Sequence, residues 1–141
     1  MPSNDYRIFE HPADIGISVR GRSWEEAFAK AARGLFSLIV DCTTVESNER
    51  KEVRLEGSDR EQLFVRWLSE LLYFYDGEKF VVSDVEVQTA TSSTLAATVT
   101  GERWDVAKHS AKLDVKAITY HELKFVEHPD GIVEITFVVD I

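Results

Sequence analysis

The sequence predicts an α+β fold in which two amphipathic helices pack on a largely antiparallel β-sheet. Two capping boxes, each followed by apolar residues at helical spacing, indicate two helices in the first part of the 141-residue chain. The later part alternates apolar and polar residues instead, and it carries a strong hairpin signal at Pro129-Asp130-Gly131. The chain shows no internal repeat, low-complexity region or linker, so a single domain over residues 1–141 is predicted.

Two strands are expected before the first helix. The pattern over residues 6–11 predicts a short strand, and residues 14–21 alternate cleanly, with isoleucine and valine on one face. Ser23 and Glu26 then form a capping box, in which the serine side chain accepts from the backbone of the first turn. The apolar helical spacing that follows predicts a helix that runs to about Val40.

The second helix is predicted to follow a polar loop over residues 43–50 and a strand over residues 51–57. Ser58 and Glu61 form the second capping box, and Gly77 is the predicted end of the helix. Apolar spacing on this helix favours core positions over a base-stacking surface for its aromatic residues, Trp67, Tyr73, Phe74 and Tyr75.

The chain after residue 79 has the alternation of a sheet. Two shorter strands meet at Ser92-Ser93, and a longer polar connection covers residues 101–109. Two long strands are then predicted over residues 114–128 and 132–141. The first of these two is expected to lie in the middle of the sheet.

The composition narrows the possible classes of function. A formal net charge of −9 argues against binding nucleic acid through phosphate contacts, whereas it permits cation binding and docking on a basic partner. The chain has no apolar run near the ~18 residues of a membrane span and no signal-peptide core, which predicts a cytoplasmic protein without a membrane contact. The lone cysteine, Cys42, cannot form an internal disulfide and is expected to be a buried small hydrophobe.

Asp14 and Asp140 are the first candidate site residues. Each lies on the strand face opposite the apolar one, Asp14 at the start of its strand and Asp140 beside the carboxylate of Ile141. If the two strands are antiparallel neighbours, the three carboxylates gather at one edge of the sheet, and calcium accepts such oxygen donors. The alternative is that both aspartates are solvated strand-end residues, and the residues alone leave both possibilities open.

Lys116 is the second candidate, within the segment Lys-Ala-Ile-Thr-Tyr-His that ends at His121. The lysine could bind an anion or contact a partner, and the alternative is a solvated lysine at the margin of a sheet.

A complete active site is disfavoured by the sequence. The histidines lack short ligand spacing, and Cys42 has no cysteine partner, so a zinc site is not expected. No phosphate-binding glycine loop or Ser/His/Asp set can be identified. The histidines in question are His11, His109, His121 and His128.

The candidate residues belong to a set of five motifs that follow one another over the whole chain: His11-Pro12-Ala13-Asp14-Ile15-Gly16, Trp67-Leu68-Ser69-Glu70-Leu71-Leu72-Tyr73, Gly101-Glu102, Val115-Lys116-Ala117-Ile118-Thr119-Tyr120-His121 and Asp140-Ile141. In order and spacing, this set resembles the archease family, small accessory proteins of RtcB-type RNA ligases. Pro12 is a departure, since the family more often has threonine there, but it leaves Asp14 in place.

The resemblance implies a non-catalytic activator of an RNA ligase that acts in tRNA splicing and RNA repair. Such a protein speeds the guanylylation of the ligase and restores multiple turnover, and it reaches tRNA only indirectly, through the ligase. The family resemblance also implies a divalent cation, described as calcium, at Asp14, Asp140 and Ile141, and a functional role for Lys116. Magnesium and manganese accept carboxylates as well, so the residues do not choose among the three ions.

Two other functions remain as alternatives. One is an independent metal-dependent hydrolase, in which the aspartates hold a cation and water is the nucleophile. The other is a chaperone-like modulator of RNA-modifying enzymes with no role for a metal.

Overall fold

A computed structural model describes residues 5–11 and 14–141, apart from the side chains of residues 10 and 11. A short 3₁₀ turn, Cys42–Thr44, follows the first helix. The strands and helices are β1 (Arg7–His11), β2 (Asp14–Gly21), α1 (Trp24–Ile39), β3 (Glu49–Glu56), α2 (Arg60–Glu78), β4 (Phe80–Ala90), β5 (Thr94–Arg103), β6 (Ala117–Glu127) and β7 (Val133–Asp140).

The strands form two antiparallel sheets, which confirms the α+β class but divides the single sheet that the sequence predicted. The first sheet has the order β1-β2-β7-β6, and the second has the order β3-β5-β4. Helix α1 explains the division, because its residues are buried on almost every side and it packs against β2 and β7 of one sheet and β4 of the other. The inner faces of both sheets thus pack against the helices, and the outer faces lie toward solvent.

An aromatic cluster joins both helices to the first sheet. Phe64 of α2 makes edge-on contacts with Phe28 of α1 and Phe137 of β7, each with ring centroids 5.2 Å apart. Trp67 is fully buried, and its indole N–H donates to the carbonyl of Phe28 at 3.1 Å. The predicted core position is wrong for Tyr73, which is 57% exposed because it lies on the solvent side of α2.

The ends of α1 agree with prediction more closely than those of α2. The Ser23 hydroxyl accepts from the Glu26 N–H at 3.1 Å, as the capping box requires. In α2 the predicted cap is wrong by one residue, because Asp59 accepts from Gln62 N–H at 2.8 Å. The helix also passes through its predicted end at Gly77, and Lys79 closes it in the left-handed conformation with φ 58°.

Strand β6 lies at an edge of the first sheet, so the prediction of a central strand is wrong. It also begins at Ala117 rather than at residue 114, because the chain just before it is bound to α1. The N–H groups of Lys112 and Leu113 donate to the carbonyls of Ile39 and Leu38, at 2.8 and 2.9 Å. Lys116 therefore precedes the strand.

Within the described part of the chain, neither helix is long and apolar enough to cross a membrane.

The close approach of β5 to β4 predicts that Gly101→Ala is destabilising. A Cβ at Gly101 would overlap the carbonyl oxygen of Val81, which is backbone and cannot swing away. We expect the free energy of unfolding to fall by about 1–3 kcal/mol. Urea denaturation of the purified variant measures it.

Gly77→Ala is the matched control for this prediction. A Cβ there meets only the exposed ring of Tyr73, at 2.7 Å, which can rotate away. Alanine favours a helix interior over glycine by about 0.5–1 kcal/mol, so this variant should be as stable as the unmodified protein or slightly more stable. Equal losses in the two variants would contradict the assignment to the β4–β5 contact.

Candidate metal centre

Asp14 and Asp140 face one another across neighbouring strands. Strands β2 and β7 pair antiparallel, and their register sets Asp14 directly opposite Asp140. Residues opposite one another on such a pair have Cβ atoms roughly 4.5–5.5 Å apart on the same face of the sheet. The antiparallel pairing that the sequence analysis required is therefore present.

The row that holds the two aspartates crosses the whole first sheet. Ala117 of β6 lies opposite Asp140, and the backbone of His11 in β1 lies opposite Asp14. Lys116 adjoins this row, because its backbone N–H donates to the carbonyl of Asp140 at 2.8 Å. The structure thus brings Asp14, Asp140 and the backbone of Lys116 to one sheet edge. Pro12 and Ala13, of the first motif, lie outside the described residues.

The electrostatics of this edge are unfavourable without a counter-charge. Two carboxylates directly opposite one another on paired strands repel. Asp14 is half-buried, and its Oδ1 atom is buried with no hydrogen-bond partner among the described residues. A buried polar atom in that state costs free energy. A bound cation would remove both costs.

The donor atoms fit a hard cation and not a transition metal. The described residues hold no group of three or more His, Cys, Asp or Glu side chains placed to share a metal. Among the described residues, a third protein donor at this edge would come from the main chain, and Ile141, which is half-buried, adjoins Asp140. An oxygen-only set completed by water suits calcium, which tolerates irregular geometry.

A second polar cluster was missed by sequence reasoning and lies away from the sheet edge. Glu102 and His109 are buried, with exposed fractions of 8% and 2%. His109 Nδ1 accepts from the Asp105 N–H, so its Nε2–H donates to Glu102 at 2.9 Å. Glu102 also accepts from the Lys108 ammonium and the Asn48 amide. Only the unusual polarity of residues 101–109 hinted at this cluster.

The Glu102 cluster braces a loop rather than forming an active site. Both ring nitrogens of His109 are engaged, so the ring has no free atom with which to move a substrate proton. The backbone N–H of Glu46, followed by Lys108 and His109, lowers the pKa of Glu102 to about 2. A carboxylate that is so fully hydrogen-bonded stays ionised and holds the connection between β5 and β6.

Cys42 is half-buried, and burial raises the pKa of its thiol to about 11. That shift agrees with a small hydrophobe and argues against a nucleophile.

The comparisons with known proteins cover almost the whole chain. Residues 6–141 match the model of the Archease protein family (MTH1598/TM1083). The chain belongs to the archease family. Its relatives include Protein archease of Sulfurisphaera tokodaii, 42% identical over 137 residues, with 96% of this chain and 98% of that protein covered. Protein archease of Pyrococcus abyssi is 46% identical over 126 residues, with 87% and 89% covered.

The archease fold is also found in a solved structure. The solution structure of Methanobacterium thermoautotrophicum protein 1598 matches with a TM-score of 0.80 and 26% sequence identity. The match covers 99% of this archease and 100% of the other chain. The arrangement of helices on antiparallel sheets is therefore that of the family.

Glu102→Gln should lower stability in a way that depends on pH. The folded-state pKa of about 2 lies below the ordinary 4.5, so the ionised carboxylate contributes its full stabilisation above about pH 4.5. That contribution is lost as the pH falls toward about 2. Glutamine cannot ionise, so the stability difference between the two proteins should be largest at neutral pH and shrink in acid.

Urea denaturation at pH 7, 4.5 and 3 measures this difference. Glu86→Gln, which changes an exposed carboxylate on β4, is the control and should follow the unmodified protein. A difference that stays constant between pH 7 and pH 3 would contradict the ionised role of Glu102.

Proposed function

We propose that this archease activates an RtcB-type RNA ligase in tRNA splicing and RNA repair. It speeds ligase guanylylation and restores turnover, and it does not itself join RNA. Membership of the archease family supports the proposal, and one observation carries it: Asp14 stands opposite Asp140, and one of its oxygens is buried with no partner in the described part of the chain.

The proposed site holds a divalent cation, calcium, through Asp14, Asp140 and Ile141. Magnesium and manganese accept the same carboxylate donors. When bound, the cation supplies positive charge that an anionic group of the partner can approach. The aspartates supply its binding and position, because each is fixed by a strand whose other face is in the core.

The proposed activity requires contacts that differ between states of the ligase. An activator shifts an equilibrium only as far as its affinities for the two states differ. An archease with a net charge of −9 complements a ligase surface that binds RNA phosphates and is therefore basic. Lys116, exposed beside Asp140, is a candidate contact to the partner or to an anion. The tRNA is reached through the ligase.

Calcium should stabilise the protein through the two aspartates. Ligand at 100 times its dissociation constant adds about 2.7 kcal/mol, so Tm should rise with calcium concentration. Asp14→Asn and Asp140→Asn should lose this rise. Without calcium they should be as stable as the unmodified protein or more stable, by about 0.2–1 kcal/mol, because the like-charge pair is gone.

Thermal denaturation of chelator-treated protein, with and without calcium, makes this measurement. Glu86→Gln should keep the full rise in Tm. One glycine added after Ile141 should reduce the rise if the carboxylate of Ile141 is a ligand. If the Tm of the unmodified protein does not change with calcium, magnesium or manganese, the metal has no part in the proposed function.

Asp14→Ala and Asp140→Ala should abolish stimulation of a purified RtcB-type ligase. The readout is ligated RNA per ligase with the ligase limiting, which exposes turnover, and circular dichroism checks the fold of each variant. Glu86→Ala is the control and should stimulate normally. If both aspartate variants fold and stimulate as the unmodified protein does, the metal-centred mechanism is wrong.

Two further arms separate the alternatives. Turnover of RNA ends by this protein without a ligase would favour a metal-dependent hydrolase. Stimulation that a chelator leaves unchanged would favour a chaperone-like role.

A further inference from the structure

An apolar groove lies on the outer face of the first sheet, next to the Asp14–Asp140 row. Its volume is about 410 Å³, within the range of binding pockets. Successive rows on one face of a strand are about 7 Å apart, so the groove begins one step from the two aspartates. Its lining residues are Phe9, Glu122, Leu123, Lys124, Thr136 and Val138.

The floor of the groove is built by a glycine and an aromatic ring. Phe9 lies opposite Gly16 across β1 and β2, and Gly16 lies opposite Val138 across β2 and β7. A Cβ at Gly16 would overlap the Phe9 ring, so the ring lies flat on the strand because this position is glycine. Val138, on the outer face, is only 1% exposed.

The wall of the groove is a bulge in β6. Between the pairs Thr119–Val138 and Lys124–Thr136, four residues of β6 stand opposite one residue of β7. Glu122 has φ 57° within this bulge, a left-handed conformation that is unfavourable for a glutamate. Bulges redirect side chains, and this one leaves Tyr120 54% exposed and Glu122 on the rim.

The outer face of the second sheet is polar where the groove on the first sheet is apolar. There Thr98 donates to Glu52 at 3.2 Å and accepts from Gln88 at 3.0 Å, so polar side chains bond to one another. The apolar groove is therefore a local feature of the first sheet and not a general property of the outer faces.

We propose that this groove is the docking site for a segment of the RNA ligase, which inserts one apolar side chain and places a basic side chain against Glu122. The inference rests on the proposed function, because the ligase is the partner named there. An apolar anchor that fills a pocket, ringed by polar contacts, is the usual centre of a protein interface.

Charge favours a basic protein segment over RNA as the occupant. The Glu122 carboxylate is half-exposed, and its contact to His121 is long, at 3.9 Å. Asp14 and Asp140 lie one row away on the same face. The Glu122 carboxylate attracts lysine or arginine, and the net charge of −9 disfavours an RNA occupant. A partner anchored in the groove has its neighbouring groups beside the proposed cation.

Two pairs of matched variants test the docking site. Glu122→Lys reverses a charge on the rim, and Glu86→Lys makes the same change on the outer face of the second sheet. Tyr120→Ala removes an exposed ring from the β6 bulge that forms the wall of the groove, and Tyr73→Ala removes a similarly exposed ring from α2. All four side chains are exposed, so each variant is expected to fold.

Affinity for the purified ligase is measured by calorimetry, in calcium, together with the calcium-dependent rise in Tm. Glu122→Lys and Tyr120→Ala should each weaken ligase binding by about tenfold or more, because the first reverses a charge at the interface and the second removes an aromatic contact. Both should keep the calcium response. The two control variants should bind the ligase as the unmodified protein does.

Three results would overturn the docking site. Rim variants that bind the ligase as tightly as their controls would place the interface elsewhere, while the proposed function would stand. A ligase that does not bind the unmodified protein would remove the proposed function, and the docking site with it. RNA oligonucleotides that bind without the ligase, and more weakly to Tyr120→Ala than to Tyr73→Ala, would make RNA the occupant.

Discussion

The pairing of β2 with β7 is the constraint on which the rest of this molecule depends. On the inner face, β2 and β7 contribute residues that are almost completely buried against the helices, among them Ile17, Ile135 and Phe137. A slip of one residue would turn these side chains to solvent and bring polar ones into the core, so burial fixes the register. The same register sets Asp14 opposite Asp140. Hydrophobic packing on one face thus imposes a like-charge contact on the other.

The carboxylates of Glu102 and Asp14 differ in how many hydrogen bonds they accept from the described residues. Glu102 is buried and accepts hydrogen bonds from a backbone N–H, an amide, an ammonium and an imidazole. Asp14 is less buried, yet its Oδ1 atom has no partner among the described residues. A satisfied buried group stabilises a fold, and an unsatisfied one costs free energy that a ligand can recover. Asp14 is therefore the better candidate for a ligand-binding residue, and Glu102 for a structural one.

Local patterns in the sequence were enough to find most elements and the two aspartates. Alternation identified β2 to the residue, and strand parity put Asp14 and Asp140 on the face away from the core. Parity failed in β6, where the bulge before Lys124 interrupts the alternation. The division into two sheets was also missed, since it depends on what surrounds α1.

The Glu102–His109 cluster was beyond sequence reasoning for a different reason. Its members come from separated segments and are joined by backbone groups of Glu46 and Asp105, which have no signature in a sequence. The groove could not be predicted from the sequence either, because Gly16 and Phe9 form its floor only through the pairing of β1 with β2. Alternation in the sequence indicates which face of its strand a residue occupies, whereas its neighbours on that face depend on which strands pair.

The position of β7 has a consequence for the order of events during synthesis. Asp14 emerges from the ribosome early, whereas Asp140 emerges late, and a domain forms such long-range strand pairs only after both partners exist. A nascent chain can assemble the second sheet from β3, β4 and β5, which are close in sequence. The first sheet forms later, because β2 can pair with β7 only after β7 has been made. The two aspartates therefore meet only after β7 has been made, so the sheet edge distinguishes chains that contain β7 from shorter ones.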